Sequence, residues 1–179
     1  RYIKQGTKLV ETALAKQLKV SRTPIRAAIK RLVYEGFATY EQNKGVCVIK
    51  PTEEEIKETF FVREQLEKAG AALAATNITP EDLDLLEDYI TKEEETFAKR
   101  NISEYYKVND AIHLLIARAS KNEVLIRYVE DLLNRTKIYL ILYDPFYNMP
   151  FNPSHHEHRR VVEALKNKDP EMAEKVMEI

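Results

Sequence analysis

The sequence predicts a mainly α chain, an N-terminal winged helix-turn-helix with a small β-hairpin wing followed by an all-α helical bundle, and three observations carry that expectation. Charge divides along the 179 residues: 1–52 hold eleven Lys and Arg against three acidic side chains, a net of +8, while 53–179 hold 17 against 26, a net of −9. In the basic part, two short helical patterns joined by a turn lead into two β-prone runs around a glycine. Beyond residue 52 the apolar pattern keeps the 3.6-residue period and no strand pattern competes. This imbalance predicts two domains, 1–52 and 53–179, the first of them facing a polyanion.

In the basic domain, "LVETALAKQL" (9–18) sets Leu9 or Val10 with Ala13, Leu14 and Leu18 on one face of a first helix. Ser21 is an N-cap for the second, and Pro24 falls in its first turn, where the missing N–H costs nothing. Ile25, Ile29, Leu32 and Val33 form the inward stripe, and Arg22, Thr23, Arg26 and Lys30 the opposite face. Gly36 ends this helix. "FATYEQNKGVCVIK" then reads as a hairpin with Gly45 at its tip and Lys44 beside it. A basic helix face of this kind is either simply solvated or turned toward phosphates and base edges. The +8 balance, the turn spacing and the glycine-tipped hairpin all favour the second reading.

In the acidic domain, Thr52 before three glutamates reads as an N-cap with acids in the first turn. Helical periodicity marks 53–76, 80–99, 102–120, 122–144, 154–167 and 170–179, with "DPFYNMPFNPS" as the one long loop. The apolar runs "AGAALAA" and "IYLILY" fall far short of the ~20 residues of a membrane span, so no membrane partner is expected. Cys47 is the single cysteine, which excludes an intramolecular disulfide; within "VCVI" it reads as a small buried residue, and a reducing cytoplasm fits.

"VSRTPIRAAIKRLVYEGF" followed by "NKGVCV" resembles the DNA-binding signature of the GntR family of bacterial transcription regulators. The resemblance implies operator contacts by Arg22, Thr23, Arg26 and Arg31, with the Gly45 wing tip entering the minor groove; Lys30 and Lys44 add phosphate contacts. Against the family pattern, the domain's usual first helix is missing or shortened before Arg1, and Thr12 stands where many members carry a charge.

All four histidines lie in the acidic domain: His113, His155, His156 and His158. Asn109 and His113, four apart, project from one helix face within reach of one metal ion, and His158 opens a later helix that can pack opposite. Spacing alone leaves metal ligands and ordinary core histidines both open. "REQLE" (63–67), "NDAIHLLIARASKN" (109–122) and "EHRRVVEAL" (157–165) resemble the FCD ligand-binding domain of one GntR subfamily. That resemblance implies a divalent transition metal, zinc first and nickel among the others, held by Asn109, His113 and His158. It further implies that His155 and His156 are bystanders and that a fourth ligand, a histidine, falls just past Ile179.

Asn109 replaces the commoner aspartate and leaves such a centre one negative charge short. A small carboxylate effector follows from that deficit, with Arg63 and Arg135 as guanidinium partners and Tyr139 as a hydroxyl donor. Internal ion pairing with glutamates is the alternative for both arginines. The expectation is a non-enzymatic, cytoplasmic, homodimeric repressor on palindromic double-stranded DNA, responsive to an organic acid. A purely dimerising helical domain is a second reading. A metal-dependent hydrolase is a third, with no evident general base and no use for the basic domain.

Overall fold

The computed structural model describes residues 3–143 and 152–177. Its elements are α1 (Glu11–Leu18), α2 (Arg22–Tyr34), β1 (Ala38–Glu41), β2 (Gly45–Val48), α3 (Glu53–Asn77), α4 (Pro80–Ala98), α5 (Ile102–Ala119), α6 (Glu123–Tyr143), α7 (Pro153–Lys166) and α8 (Pro170–Val176). The mainly α architecture with a two-stranded wing is therefore as expected. Most of the expected long loop lies outside the described residues. Among those described, no helix is long and apolar enough to cross a membrane.

The basic domain closes around Leu9, Ala15, Ile25, Ile29 and Ala38, with Leu14, Leu32, Val33, Val46 and Val48 packed against them. The inward stripe of α2 is thus the expected one, whereas on α1 Ala13 and Leu18 face outward. The helix begins only at Glu11, so Leu9 enters the core from an extended segment whose N–H bonds Val46 O at 2.8 Å, and Leu14 and Ala15 form the buried face. Residues 6–9 run along β2, with Lys8 bridging Cys47, which is fully buried. In the wing, Gly45 at φ 89° pairs with Glu41 across a turn in which Asn43 is also left-handed.

The helical domain is built from self-capped segments. Thr52 Oγ1 accepts from Glu55 N at 3.1 Å, Thr79 and Asp82 form a reciprocal capping box, and Asn101, Asn152 and Asp169 cap α5, α7 and α8. The alanine-rich face of α3 (Ala71, Ala74, Ala75) allows close approach, and Leu86, Ile90, Ile112, Ile116, Val161, Val162 and Leu165 fill the space around it. Burying such a side chain stabilises the fold by about 1.5–3 kcal/mol. α3 is the hub, packed on α5, α6, α7 and α8, and α4 packs on α5 and α7.

α6 also reaches the basic domain. The Tyr143 hydroxyl shares its one proton between Gln5 Oε1 at 2.7 Å and Pro51 O at 3.2 Å, and the Tyr139 hydroxyl donates to Glu55 Oε1 at 3.0 Å. At the end of α2, Gly36 has φ 81°, and a Cβ there would stand 3.0 Å from Ile138 Cδ1. Gly36→Ala combines a left-handed backbone with this crowding, so a loss of about 1–2 kcal/mol in stability is expected, read by urea unfolding. An unchanged unfolding midpoint would show that the junction relaxes freely.

Candidate nucleic-acid interface and candidate metal centre

Arg22, Thr23, Arg26 and Lys30 are all exposed on α2, opposite Ile25 and Ile29, and Lys44 and Gly45 are exposed at the wing. Each arginine of this face that is ion-paired in the free chain is held by a nearby glutamate. Arg26 Nε and Nη2 both reach the Glu11 carboxylate at 3.0 Å, and Arg22 Nη2 lies 3.5 Å from the same group. The hydrogen bond from Arg26 is the main reason the Glu11 carboxyl is held below its usual range. Arg31 pairs with Glu35 at 2.6 Å and Lys44 with Glu41 at 2.5 Å. Exposed pairs of this kind contribute little to stability and exchange readily for phosphate. Glu11, which sets Arg22 and Arg26 side by side, was not singled out from the sequence, although it is the one acidic residue before Glu35.

The second arrangement lies inside the helical bundle. His113 on α5 and His158 on α7 are buried, with their Nε2 atoms 3.3 Å apart. His158 Nδ1 stands 3.0 Å from Glu93 Oε2, and Glu93 Oε1 accepts from Asn109 Nδ2 at 3.2 Å. His113 Nδ1 is 2.7 Å from Glu67 Oε2, at an angle that falls short of a hydrogen bond. Glu67 Oε1 accepts from Arg63 Nε at 2.8 Å, and Arg63 Nη1 donates to Thr136 Oγ1 at 2.9 Å. A continuous buried chain of polar groups therefore crosses α5, α4, α7, α5, α3 and α6 in turn.

The protonation pattern follows from burial and neighbours. Burial pushes the Glu67 carboxyl up, but the charges of His113 and Arg63 outweigh it and hold the group down at about 2. Burial lowers His113, with Arg63 adding to it against the pull of Glu67, so the imidazole is neutral near pH 7 and Arg63 alone keeps Glu67 ionised there. Burial likewise raises Glu93, and the bonds from His158 and Asn109 overcome it, leaving a carboxylate below its usual range. The Nε2–Nε2 contact is an N–H···N hydrogen bond when one ring carries its proton on Nε2, and two lone pairs face one another when both rings carry theirs on Nδ1. That second contact is repulsive unless a proton or a cation lies between them.

The fit to a metal rests on these atoms. Two nitrogens bound at ~2.0–2.1 Å to one tetrahedral ion stand about 3.3–3.4 Å apart, and the observed separation is 3.3 Å. Carboxylates behind both rings are the outer-sphere partners that metal-bound histidines have. Among the described residues, no group of three or more His, Cys, Asp and Glu side chains converges on this point, so the donors in place are one imidazole pair with Asn109 alongside. His155 and His156 lie apart from the pair: His155 Nε2 accepts from Arg159 at 3.0 Å, and the two rings contact each other.

The three expected effector residues are not brought together. Arg63 is buried and committed to Glu67 and Thr136, the internal ion pair that the sequence left as the alternative. Arg135 is exposed and, with Tyr139 and Glu55, lines a groove of about 1040 Å³ where the two domains meet. Glu67 and Glu93, which tie the histidines to the rest of the bundle, escaped the sequence reading. Glu67 sits within "REQLE" without a spacing signal, and Glu93 is one of three consecutive glutamates in "KEEET".

Residues 58–179 match the FCD domain, and residues 2–48 match the bacterial regulatory proteins of the gntR family. The Nta operon transcriptional regulator of Aminobacter aminovorans is 30% identical over 136 residues, covering 76% of this chain and 64% of that protein. The transcriptional regulator McbR of Escherichia coli is 29% identical over 170 residues, covering 94% of this chain and 77% of that one. In three dimensions the chain is similar to E. coli McbR/YncC, with a TM-score of 0.73 at 27% identity over 97% of this chain and 82% of that structure.

Proposed function

The chain belongs to the GntR family of bacterial regulatory proteins, with an FCD domain after the gntR region, and we propose that it is a metabolite-responsive transcription regulator acting as a homodimeric repressor. In this reading 1–52 binds DNA, and 53–179 dimerises and binds the effector. The observation that carries the DNA half is the exposed cationic face of α2 beside the Lys44–Gly45 wing, on a domain of net charge +8. Two such faces related by a two-fold axis suit successive major grooves of a palindromic site, ~34–36 Å apart.

For the responsive half, His113 and His158 would hold a divalent transition metal, zinc first, with Asn109 alongside. The bound ion supplies a positive centre on which a small carboxylate can complete the coordination. Arg135 and Tyr139 line the junction groove outside that centre, where a shift of α6 would bear on both domains, and Arg63 acts on the centre through Glu67. What supports a cation between the histidines is that both Nε2 atoms face each other 3.3 Å apart while both Nδ1 atoms face carboxylates.

The test is metal content together with binding to an operator selected from random DNA, with and without a panel of small carboxylates. His113→Ala and His158→Ala are expected to lose the metal and the response, while His155→Ala and His156→Ala keep both. Metal retained at full stoichiometry in the first two variants would refute the centre.

A further inference from the structure

We propose that Glu93, seconded by Glu67, is the positioning residue of this histidine centre, a role that rests on the metal reading above. Glu93 is fully buried on α4, yet it is bonded to two expected ligands that come from two other helices. Its Oε2 faces His158 Nδ1 on α7 and its Oε1 takes the Asn109 amide on α5. The first contact keeps the proton of His158 on Nδ1 and so leaves the Nε2 lone pair pointing at His113. The second settles which atom of Asn109 is the donor, leaving Oδ1 as the atom free to act as a ligand. Glu67 Oε2 stands 2.7 Å from His113 Nδ1 without a hydrogen bond, so it contributes charge behind that ring, and Arg63 on its far oxygen fixes Glu67 in turn.

Only a carboxylate serves both partners of Glu93. Glutamine offers one acceptor and one donor, so either Asn109 or His158 would face an N–H instead of an oxygen. The charge matters as well: Asn109 carries none where a carboxylate ligand would, and Glu93 supplies a negative charge one bond behind the ligands. Outer-sphere partners of this kind change metal affinity about 10–100-fold when altered. The carboxylate is thus part of the centre without touching the ion.

The experiment measures Zn²⁺ affinity by competition with a chromophoric chelator on the full chain, and the tautomers of His113 and His158 by long-range ¹H–¹⁵N NMR on metal-free protein. Wild type is expected to bind Zn²⁺ and to show the His158 ring protonated at Nδ1. Glu93→Gln is expected to bind about 10–100-fold more weakly, with His158 shifted toward the other tautomer. Exposed Glu94→Gln, on the same helix, is expected to change neither. Wild type without Zn²⁺ affinity would overturn the metal reading and this role together. Wild type that binds while Glu93→Gln binds equally well would overturn this role alone. Should Glu93→Gln not fold, the tautomers of the wild type decide, and an Nε2 proton on metal-free His158 refutes the assignment.

Discussion

Glu67→Ala is expected to be among the most destabilising single substitutions in the helical domain, at about 3–5 kcal/mol, because it strands the Arg63 charge inside the bundle. Arg63 is 3% exposed, and among the described residues its other hydrogen bond goes to the Thr136 hydroxyl. Replacing both members of the pair with apolar residues of similar volume, Arg63→Met with Glu67→Leu, is expected to recover much of the loss. Urea unfolding of the three proteins tests this, and a cost below about 1 kcal/mol for Glu67→Ala would mean that water already reaches the pair.

The same group predicts an acid response. The Glu67 carboxyl lies at about 2 in the folded chain against an ordinary 4.5, so its contribution is fully present above 4.5 and is lost as the pH falls toward 2. His113 acts in the same direction: its folded value is below 6.5, so the unfolded chain takes up its proton first and stability begins to fall below pH 6.5. Unfolding free energy is therefore expected to decline in two stages on acidification. A Glu67→Gln protein should lack the second stage.

Loss of both Arg22 and Arg26 to alanine is expected to weaken operator binding by at least about 100-fold, Arg26 alone contributing about 1–3 kcal/mol at the specific site. Binding to unrelated DNA should change far less. Lys44→Ala should weaken all sequences alike and reduce the salt slope by about 1. Glu11 introduces a distinct expectation. It holds both arginines in the free chain, so Glu11→Gln frees two cations and should raise binding to unrelated DNA more than to the operator. The readout is fluorescence anisotropy across a salt series. Operator affinity unchanged in the double arginine variant would remove α2 from the interface.

The winged helix and the helical bundle were both visible from local signals. On α2, the inward Ile25 and Ile29, the outward basic residues and the stop at Gly36 are all features of one helix, and a 3.6-residue period exposes them. In the bundle, starts were readable because Thr52, Thr79, Asn101 and Asp169 cap their own helices. Ends were readable to within a residue as well, 76, 99, 120, 144 and 167 against Asn77, Ala98, Ala119, Tyr143 and Lys166, even though Lys19, Arg100, Lys121 and Lys168 take the left-handed conformation after α1, α4, α5 and α7 without a glycine to mark it. The phase of α1 was misread because Leu9 belongs to an extended segment paired with the wing, a contact between distant residues. Asn109, His113 and His158 could be named from spacing and family pattern. Glu67 and Glu93 could not, since nothing local distinguishes a buried glutamate from the exposed ones around it until α3, α4, α5 and α7 are assembled.

The position of α6 bears on how such a chain changes over generations. Thr136 receives Arg63 at the end of the buried polar chain, and Ile138, two residues on, lies against Gly36 at the end of α2. Two residues of helix advance only ~3 Å, so one half-turn answers at once to the inside of the bundle and to the element that meets DNA. A substitution there is tested by selection on both counts, and few will satisfy both. α7, by contrast, packs on α3, α4 and α8, which leaves its lining, His158 apart, free to drift toward new small molecules while the operator is kept. Related chains that have diverged in what they sense are therefore expected to differ along α7 and to agree at the positions of Gly36, Thr136 and Ile138, a pattern that aligning them would reveal or refute.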